Sequence, residues 1–384
     1  METPRTLIVD MAVGYGGSSS RVLGLLRTLK EQGAALAGLD GGAVVVAAQK
    51  EGLPVYTVGR KKTDPRILSR LVNIIRKHQF QVLDTQNIQS KFWASMAAGI
   101  TRTSLISTIN SWYANEHGQS STGSRIKGRI YTAVELLTNK NLDLYITVSA
   151  KDQQALLQSG LPADGIELIY NAVSLDAAQI TGDAAHLRST YNLPPQSLIC
   201  TAVGRLVPVK GYDILIEAMK QISSQVPQLV CLIVGEGECK DDLARQIHES
   251  GLENQVRLAG YQDRATVLSI LKSSDIFAMP SRYEGIPIAL LEAAALGLPI
   301  IASSGGGIPE LVTDQRDALL TAPNDPQALA AALLKLCNDM QYAKTLGASA
   351  QQRVQTHFDM NTQIHKTASA YQKALQRHHQ RLGK

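Results

Sequence analysis

Residues 197–225 read SLICTAVGRLVPVKGYDILIEAMKQISSQ: an apolar run, a glycine-containing turn and an amphipathic segment. A short, continuous apolar run before turn residues is typical of a strand buried on both faces. From Lys210 to Gln225 the apolar residues recur at helical spacing. The stretch therefore predicts a buried strand, Ser197–Val203, that leads through a loop into a helix, the unit from which covered parallel sheets are built.

The same alternation runs through all 384 residues. A first series of predicted strands comprises Thr6–Val13, Ala43–Ala48, Val55–Val58, Gln81–Asp84, Leu105–Asn110, Leu144–Ser149 and Ile166–Ile169. A second comprises Ser197–Val203, Leu229–Val234, Gln255–Ala259, Asp275–Met279, Pro299–Ala302 and Ala318–Leu320. Helices are predicted between them, among others at Ser19–Gln32, Pro65–His78, Lys210–Gln225, Ile288–Leu296 and Asp325–Asp339. The pattern indicates an α/β fold with two doubly wound, Rossmann-like domains.

One segment, Ser174–Pro195, has no sheet-like run and contains Gly182 and the Pro194–Pro195 pair. Such a segment is typical of a domain boundary. We predict an N-terminal domain over residues 1–180 and a C-terminal domain over 190–358. The last segment, about 360–384, is helical in pattern and could cap either domain, with packing back on the N-terminal domain as one possibility.

Composition restricts the class of protein. Hydrophobic residues make up 44% and charged residues 18%, which excludes a disordered chain. The first residues, METPRTLIVDMAVG, carry Asp10 within their apolar run, unlike a signal peptide, and no apolar run is long enough to span a membrane. The four cysteines show no C-x-x-C spacing, so neither zinc nor a disulfide framework is indicated. We expect a cytoplasmic protein without a cofactor.

Positive charge is concentrated in residues 60–129, which contain 12 Lys and Arg against 3 Asp and Glu. This excess indicates an anionic partner, either a phosphorylated substrate or a membrane surface, and we predict no nucleic-acid partner. The alternative is a set of solvated helix faces with no specific partner.

A glycine-rich loop, Gly14-Tyr15-Gly16-Gly17-Ser18-Ser19-Ser20, follows the first predicted strand. Glycines let a ligand approach the backbone, and N–H groups at a helix start bind phosphate; a strand–helix turn alone would also need glycine. The spacing differs from the G-x-G-x-x-G dinucleotide fingerprint. The predicted second strand, Ala43–Ala48, is followed by Gln49-Lys50 rather than by an acidic residue, which disfavours a nicotinamide dehydrogenase.

Two cations follow the strand quoted at the outset. Arg205 comes directly after it, and Lys210 lies at the predicted helix start. Together they offer a planar fork and a point charge to a diphosphate near a helix N-terminus. The alternative is a surface pair with ordinary salt bridges.

Two carboxylates lie in the stretch Pro280–Ala293, PSRYEGIPIALLEA. Glu284 is predicted in a loop at the carboxyl end of a strand, and Glu292 falls in an apolar helix, where an unpaired charge is costly. They are candidates for binding hydroxyl groups, which sugars supply. The alternative is a helix-capping Glu284 and a salt-bridged Glu292.

Taken together, Gly204-Arg205, Lys210-Gly211, Glu284-Gly285, Glu292-Ala293, Gly297-x-Pro299 and Gly305-Gly306 resemble the retaining glycosyltransferases of family four. That resemblance covers most of residues 200–312, and more loosely residues 1–175 through Gly16-Gly17 and the order of strands. It implies the GT-B architecture, in which two Rossmann-like domains face a central cleft.

The resemblance also implies roles for particular residues. Arg205 and Lys210 match the pair that holds the donor's diphosphate and stabilises the leaving group. Glu292 matches the carboxylate that binds the donor ribose, and Glu284 the one that faces the transferred sugar. The remaining donor-binding candidates are Gly16, Gly17, Gly237, Tyr261, Gly285, Ile286 and Ile288.

The sequence departs from the family pattern in two places. Asn110 stands where a histidine is common near the reacting sugar, and it cannot take up a proton near neutral pH. Asn110 and His117 are therefore the acceptor-side candidates. In the segment Ile169–Ser174, Ala172 stands where glycine is more frequent, which implies a slightly different hinge.

The function that follows is a metal-independent, retaining hexosyltransferase, because no D-x-D motif is present to hold a metal. The donor is a nucleotide-diphospho-sugar, and the acceptor a lipid-linked sugar or a growing bacterial surface polysaccharide. The resemblance favours front-face attack, in which the departing phosphate oxygen accepts the acceptor's proton. Alternatives are a non-catalytic nucleotide-sugar-binding subunit and a sugar-nucleotide epimerase of similar fold.

The segment Ser124–Asn139 is amphipathic if helical, with Ile126, Ile130, Ala133, Val134 and Leu137 on one side. Arg125 and Arg129 border this stripe, and Lys127 lies on the polar side. Such a helix could rest peripherally on an anionic leaflet at the inner face of a membrane. Alternatively, the stripe packs on the N-domain sheet and the cations merely face water.

Overall fold

The computed structural model describes residues 3–112, 122–175 and 177–383, with only the backbone for residues 122–125, 127 and 128. The chain divides into two compact units. Unit 1 comprises Met1–Asn171 and Met360–Lys384, and unit 2 comprises Ala172–Asp359. Each unit is a parallel sheet with helices, so both are of the predicted α/β class.

Unit 1 contains a seven-stranded parallel sheet in the order β3-β2-β1-β4-β5-β6-β7. Its register places Ile8 opposite Leu36 on one side and Asp84 on the other. The strands are β1 Thr6–Asp10, β2 Ala35–Leu39, β3 Val55–Gly59, β4 Val82–Thr85, β5 Ser104–Ile109, β6 Leu144–Thr147 and β7 Ile166–Leu168. The helices are α1 Gly17–Leu29, α2 Ala43–Lys50, α3 Arg66–His78, α4 Ile88–Thr101, α5 Thr122–Leu137 and α6 Ala150–Gln158.

Unit 2 contains a six-stranded parallel sheet in the order β10-β9-β8-β11-β12-β13. The strands are β8 Leu198–Val203, β9 Leu229–Val234, β10 Val256–Gly260, β11 Ile276–Met279, β12 Ile300–Ser303 and β13 Leu319–Thr321. The helices are α7 Ala184–Thr190, α8 Tyr212–Ile222, α9 Lys240–Glu249, α10 Arg264–Lys272, α11 Ile288–Ala295, α12 Ile308–Leu311, α13 Pro326–Asn338 and α14 Met340–His357.

A final helix, α15 Met360–Arg381, returns to unit 1. Its Tyr371 hydroxyl donates to Asp84 Oδ2 at 2.8 Å beneath the sheet. Further along, His378 Nδ1 lies 3.1 Å from Asp143 Oδ2, and Lys373 pairs with Glu167. With α1 and α2, this helix covers one face of the unit 1 sheet, whereas α3 and α4 cover the other.

The prediction for Ala43–Ala48 is wrong, because this segment lies in helix α2. The second strand is β2, whose sequence ALAGL lacks the β-branched residues that usually mark a strand. Helix α2 packs so closely on β2 that a Cβ at Gly38 would overlap Val45. Gln49-Lys50 therefore does not follow the second strand and does not disfavour a nicotinamide dehydrogenase. The second strand, β2, is followed by the acidic residue Asp40, which pairs with Arg60 at 2.9 Å.

Helix α5 presents its apolar stripe outward. Ile126 and Ile130 are 55% and 54% exposed, and Leu137 is 81% exposed. The buried side of the helix carries Glu135, whose carboxylate pairs with the equally buried Lys91 of α4. The alternative that this stripe packs on the sheet is therefore wrong.

Candidate functional site

The sheet of unit 2 has a topological switch point between β8 and β11, since the chain leaves these neighbouring strands in opposite directions across the sheet. Ligands of doubly wound sheets bind outside the carboxyl ends of strands at such a point. Gly204-Arg205 follows β8, and the loop from Pro280 to Pro287 follows β11. The two sequence-predicted loops therefore flank the expected site.

Lys210 and Glu284 meet at this edge. Lys210 Nζ lies 2.6 Å from Glu284 Oε1, and the Ser281 hydroxyl donates to the same oxygen at 2.7 Å. Both charged side chains are largely buried but not sealed, with 17% and 12% exposure. Glu284 does not cap a helix, because α11 begins at Ile288 after Pro287 as its N-cap residue.

Two glycines allow the loops to approach one another at the backbone level. Gly211 has φ +66° and lies against the Pro280 carbonyl, and Gly306 has φ +69° and lies against the Glu284 carbonyl. A Cβ at either position would overlap these oxygens in a conformation that side-chain-bearing residues rarely adopt. Gly237, predicted to approach a ligand, is packed against the backbone of Leu206.

Arg282 holds the β11 loop in place, a function that sequence reasoning missed. Its guanidinium binds both carboxylate oxygens of Asp213 at 2.9 and 2.6 Å, and its Nε donates to Asn324 at 2.7 Å. A bidentate pair of this kind fixes orientation as well as distance. The signal available in the sequence was an arginine two residues before the predicted functional glutamate.

Arg205 is exposed at the end of β8 and lies within electrostatic range of Tyr212. Burial raises the pKa of the Tyr212 phenol; the negative charge of Glu284 adds to the increase, and Arg205 opposes it. Arg205 at the end of β8 and the Lys210–Glu284 pair thus lie at the same carboxyl edge of the sheet.

Glu292 lies one turn into α11 and is 5% exposed. Arg264 Nε lies 2.9 Å from its Oε1. Glu292 therefore forms the salt bridge that the alternative interpretation predicted. Burial raises the pKa of Glu292, and the Arg264 charge and hydrogen bond partly oppose the increase.

The remaining candidates of unit 2 differ in placement. Gly285, Ile286 and Ile288 are buried around the first turn of α11, where helix N–H groups are unpaired within the helix. Tyr261 follows β10, two strands away from β8, and is 60% exposed.

Unit 1 has its own switch point between β1 and β4. Gly16 is the N-cap residue of α1, which begins at Gly17, and a Cβ at Gly16 would meet no atom within 4 Å. Packing therefore does not require glycine at position 16. Beside this loop, the buried Asp10 accepts from Asn87 at 2.7 Å, an arrangement that sequence reasoning did not identify.

The acceptor-side candidates are described only in part. Asn110 follows β5 and donates to the Gln86 carbonyl at 3.1 Å. Its Oδ1 is buried and has no hydrogen-bond partner among the residues the structure describes. His117 lies outside the described residues.

Neither a metal-binding cluster nor a membrane-spanning helix occurs among the residues that the structure describes. Among residues 3–112, 122–175 and 177–383, no three His, Cys, Asp or Glu side chains come close enough to hold a metal ion together. No described helix combines the length and apolar character needed to cross a bilayer.

The arrangement in unit 2 suits an anionic ligand with several hydroxyl groups. Arg205 and Lys210 supply positive charge at the end of β8, and the loop that holds Glu284 leads into α11, whose first N–H groups have no partner within the helix; both features favour phosphate oxygens. Glu284 and Glu292 supply hydrogen-bond acceptors. Glu284 lies in the loop that follows β11 at the switch point, and Glu292 lies in helix α11, which follows that loop.

Comparison with known proteins gives the family. Residues 184–353 match the model of glycosyl transferases group 1, and residues 15–177 match that of glycosyltransferase family 4. The amylovoran biosynthesis glycosyltransferase AmsK of Erwinia amylovora is 31% identical over 57% of this chain and 53% of its own. This chain thus spans about half the length of that relative.

Two further proteins are similar over more of their length. A UDP-Gal:alpha-D-GlcNAc-diphosphoundecaprenol alpha-1,3-galactosyltransferase of Escherichia coli is 26% identical over 80% of this chain and 79% of its own. The crystal structure of Anabaena HepE in complex with UDP and glucose superposes with a TM-score of 0.83, at 23% identity, over 96% of this chain and 99% of HepE. The chain belongs to the group 1, family 4 glycosyltransferases and has their GT-B fold.

Proposed function

We propose that this protein is a retaining, metal-independent hexosyltransferase that moves a sugar from a nucleotide-diphospho-sugar to a lipid-linked or polysaccharide acceptor in surface-glycan synthesis. The observation that carries the proposal is the Lys210–Glu284 pair at the β8–β11 switch point, with Arg205 at the end of β8 on the same edge of the sheet. Support comes from HepE, solved with UDP and glucose, and from the galactosyltransferase, whose name specifies a UDP-sugar and a diphospholipid-linked acceptor.

In this proposal Arg205 and Lys210 bind the donor diphosphate and stabilise the charge that develops as it leaves. Preorganised cations can do so without a metal ion, because they already face the position where negative charge appears. Glu292 binds the ribose, and Glu284 orients the transferred sugar. The acceptor hydroxyl attacks the sugar from the same face that the diphosphate leaves. The departing phosphate oxygen takes the acceptor's proton.

A panel of UDP-, GDP- and ADP-sugars, assayed for donor hydrolysis and transfer with and without EDTA, tests this function. We expect one donor to be consumed at the same rate under both conditions, with the anomeric configuration retained in the product. Loss of turnover in EDTA that Mg²⁺ or Mn²⁺ restores would contradict the metal-independent mechanism. Tight nucleotide binding without consumption of any donor would favour a non-catalytic subunit, for which Asn110 in place of histidine is the supporting observation.

Replacing Glu292 with alanine should weaken binding of the donor nucleotide roughly ten- to hundredfold, because a hydrogen bond to a charged acceptor is worth ~1.5–3 kcal/mol. Glu292→Gln should recover part of the loss, since it keeps one acceptor oxygen. Calorimetric titration with the nucleoside diphosphate measures both variants. Unchanged affinity in both variants would show that Glu292 does not bind the nucleotide and only forms its salt bridge with Arg264.

We further propose that the enzyme works peripherally at the inner, cytoplasmic face of a membrane, with α5 in contact with anionic lipid. The outward stripe of Ile126, Ile130 and Leu137 supplies apolar surface, and the exposed Arg129 supplies charge. An amphipathic helix of this kind binds the membrane–water interface through both its apolar surface and its positive charge.

A Leu137→Gln/Arg129→Glu variant should lose sedimentation with vesicles that contain anionic lipid, because both the apolar and the electrostatic contributions are removed. The unmodified protein should pellet with anionic but not zwitterionic vesicles, and high salt should release it through screening. Leu157→Gln/Lys151→Glu, on the neighbouring helix α6, is the matched control. Pelleting of the α5 variant at the level of this control would refute the membrane contact.

A further inference from the structure

Unit 1 has two concave surfaces next to each other at the carboxyl edge of its sheet. One is a cavity of about 780 Å³ formed by the loops after β2 and β3 and the start of α3. The other is a groove of about 370 Å³ between α4 and α5. They share Thr63, and the indole N–H of Trp93 in the groove donates to the Lys62 carbonyl at 2.8 Å.

The cavity, here called the cationic pocket, is lined by four cations and two carboxylates. Arg60 pairs with Asp40 at 2.9 Å, and Arg66 pairs with Asp64 at 3.0 Å. Arg70 and Lys61 complete the set, and the Lys61 ammonium has no acidic partner among the residues described. Arg70 lies 3.7 Å from Asp64 and donates to the Val58 carbonyl at 2.9 Å. Four cations against two carboxylates leave the lining with a net positive charge, which favours phosphate groups.

The groove, here called the apolar groove, has the opposite character. Phe92 and Ile130 are 43% and 54% exposed, and Ile88, Trp93 and Val134 complete the apolar surface. Exposing large apolar side chains together is costly unless a ligand covers them. The groove is open to solvent, so a hydrocarbon chain can enter it.

We propose that the cationic pocket and the apolar groove form one binding site for an isoprenoid-type lipid diphosphate, the anchor of the acceptor. The diphosphate lies in the pocket and the hydrocarbon chain in the groove. This inference rests on the proposed function, because it names the acceptor of that reaction. It also accounts for the cation-rich loop 60–66, which the donor site does not use.

Calorimetric titration with three probes tests the site: farnesyl diphosphate, farnesol and inorganic pyrophosphate, each below its aggregation concentration and without donor. We expect farnesyl diphosphate to bind at least roughly tenfold more tightly than either part alone, since charged hydrogen bonds and apolar burial both contribute. It should also change the fluorescence of Trp93, and Trp93→Phe should abolish that change. Equal affinity for farnesol and farnesyl diphosphate, or for pyrophosphate and farnesyl diphosphate, would overturn the proposal.

Variants separate the two halves of the site. Lys61→Glu/Arg66→Glu should weaken binding of farnesyl diphosphate and pyrophosphate roughly tenfold or more, whereas Phe92→Gln/Ile130→Gln should weaken only the two probes with a chain. Matched controls are Lys50→Glu at the end of α2, on the opposite face of the sheet, and Ile100→Gln at the other end of α4. Equal losses in site and control variants would reject the site.

The result of these probe titrations does not depend on the result of the donor-sugar panel. Protein that binds farnesyl diphosphate as expected but transfers no sugar would contradict the proposed function and support this site. Protein that transfers sugar but whose affinities for the three probes differ by less than a factor of two would support the proposed function and contradict this site.

Discussion

Arg205→Ala and Lys210→Ala are each expected to lower turnover by roughly 10²–10³-fold, the range found when one preorganised charge stabiliser is removed. Both residues follow β8, and Lys210 lies 2.6 Å from Glu284 at the same edge of the sheet. The effect should appear mainly in kcat, because charge on the departing diphosphate is greatest in the transition state.

Arg245→Ala is the matched control, because Arg245 is an exposed cation of unit 2 whose partner, Asp242, is on its own helix. Its turnover should stay within about twofold of the unmodified enzyme, since exposed pairs contribute little. The circular dichroism of all three variants should be the same. If Arg205→Ala and Lys210→Ala turn over like Arg245→Ala, these two cations do not bind the diphosphate.

The second large effect concerns stability. Lys91→Met should lower the free energy of unfolding of unit 1 by about 3–5 kcal/mol, the cost of leaving a buried charge without its partner. Lys91 Nζ contacts Glu135 Oε1 at 2.5 Å, the Glu135 carbonyl, Asn139 and Tyr145, and neither charged side chain is exposed. Burial lowers the pKa of Lys91, which the charge of Glu135 opposes.

Chemical denaturation followed by tryptophan fluorescence measures this effect, because both tryptophans, Trp93 and Trp112, belong to unit 1. Lys91→Met/Glu135→Gln should recover much of the loss, since it removes the isolated charge and keeps an acceptor for Ser107. Arg27→Ala, which breaks the exposed pair with Glu51, should cost less than ~1 kcal/mol. A loss in Lys91→Met no greater than in Arg27→Ala would show that the buried pair does not hold α5 on α4.

The same pair explains why the orientation of α5 could not be predicted. Apolar residues at helical spacing ordinarily mark the buried side of a helix. Here Glu135 is directed inward by Lys91 and Ser107, and Ile130 and Leu137 therefore face outward. Glu135 of α5 is paired only because α4 packs beside it, and its partner Lys91 lies 44 residues earlier in the chain.

The residues that we propose for the donor site were predictable to different degrees. Arg205, Lys210 and Glu284 follow buried strands, and parallel strands bring such residues to one edge of a sheet. Arg282 was not identified, because its ligand Asp213 is on α8, and the pairing depends on how the β11 loop turns. Arg264, which pairs with Glu292, was missed for the same reason.

The sequence by itself determined the fold class, twelve of the thirteen strands that the structure describes, and the chemical character of the β8 and β11 loops, because apolar runs and residue types are local properties. It could not distinguish the strand ALAGL from the helix AVVVAAQK that follows it. Tertiary structure decided that assignment: β2 lies between β1 and β3, where burial on both faces suits small residues, and Val45 of α2 packs over Gly38. It also decided which side of α5 faces outward and which cations lie together in one pocket, since both depend on contacts between residues far apart in the chain.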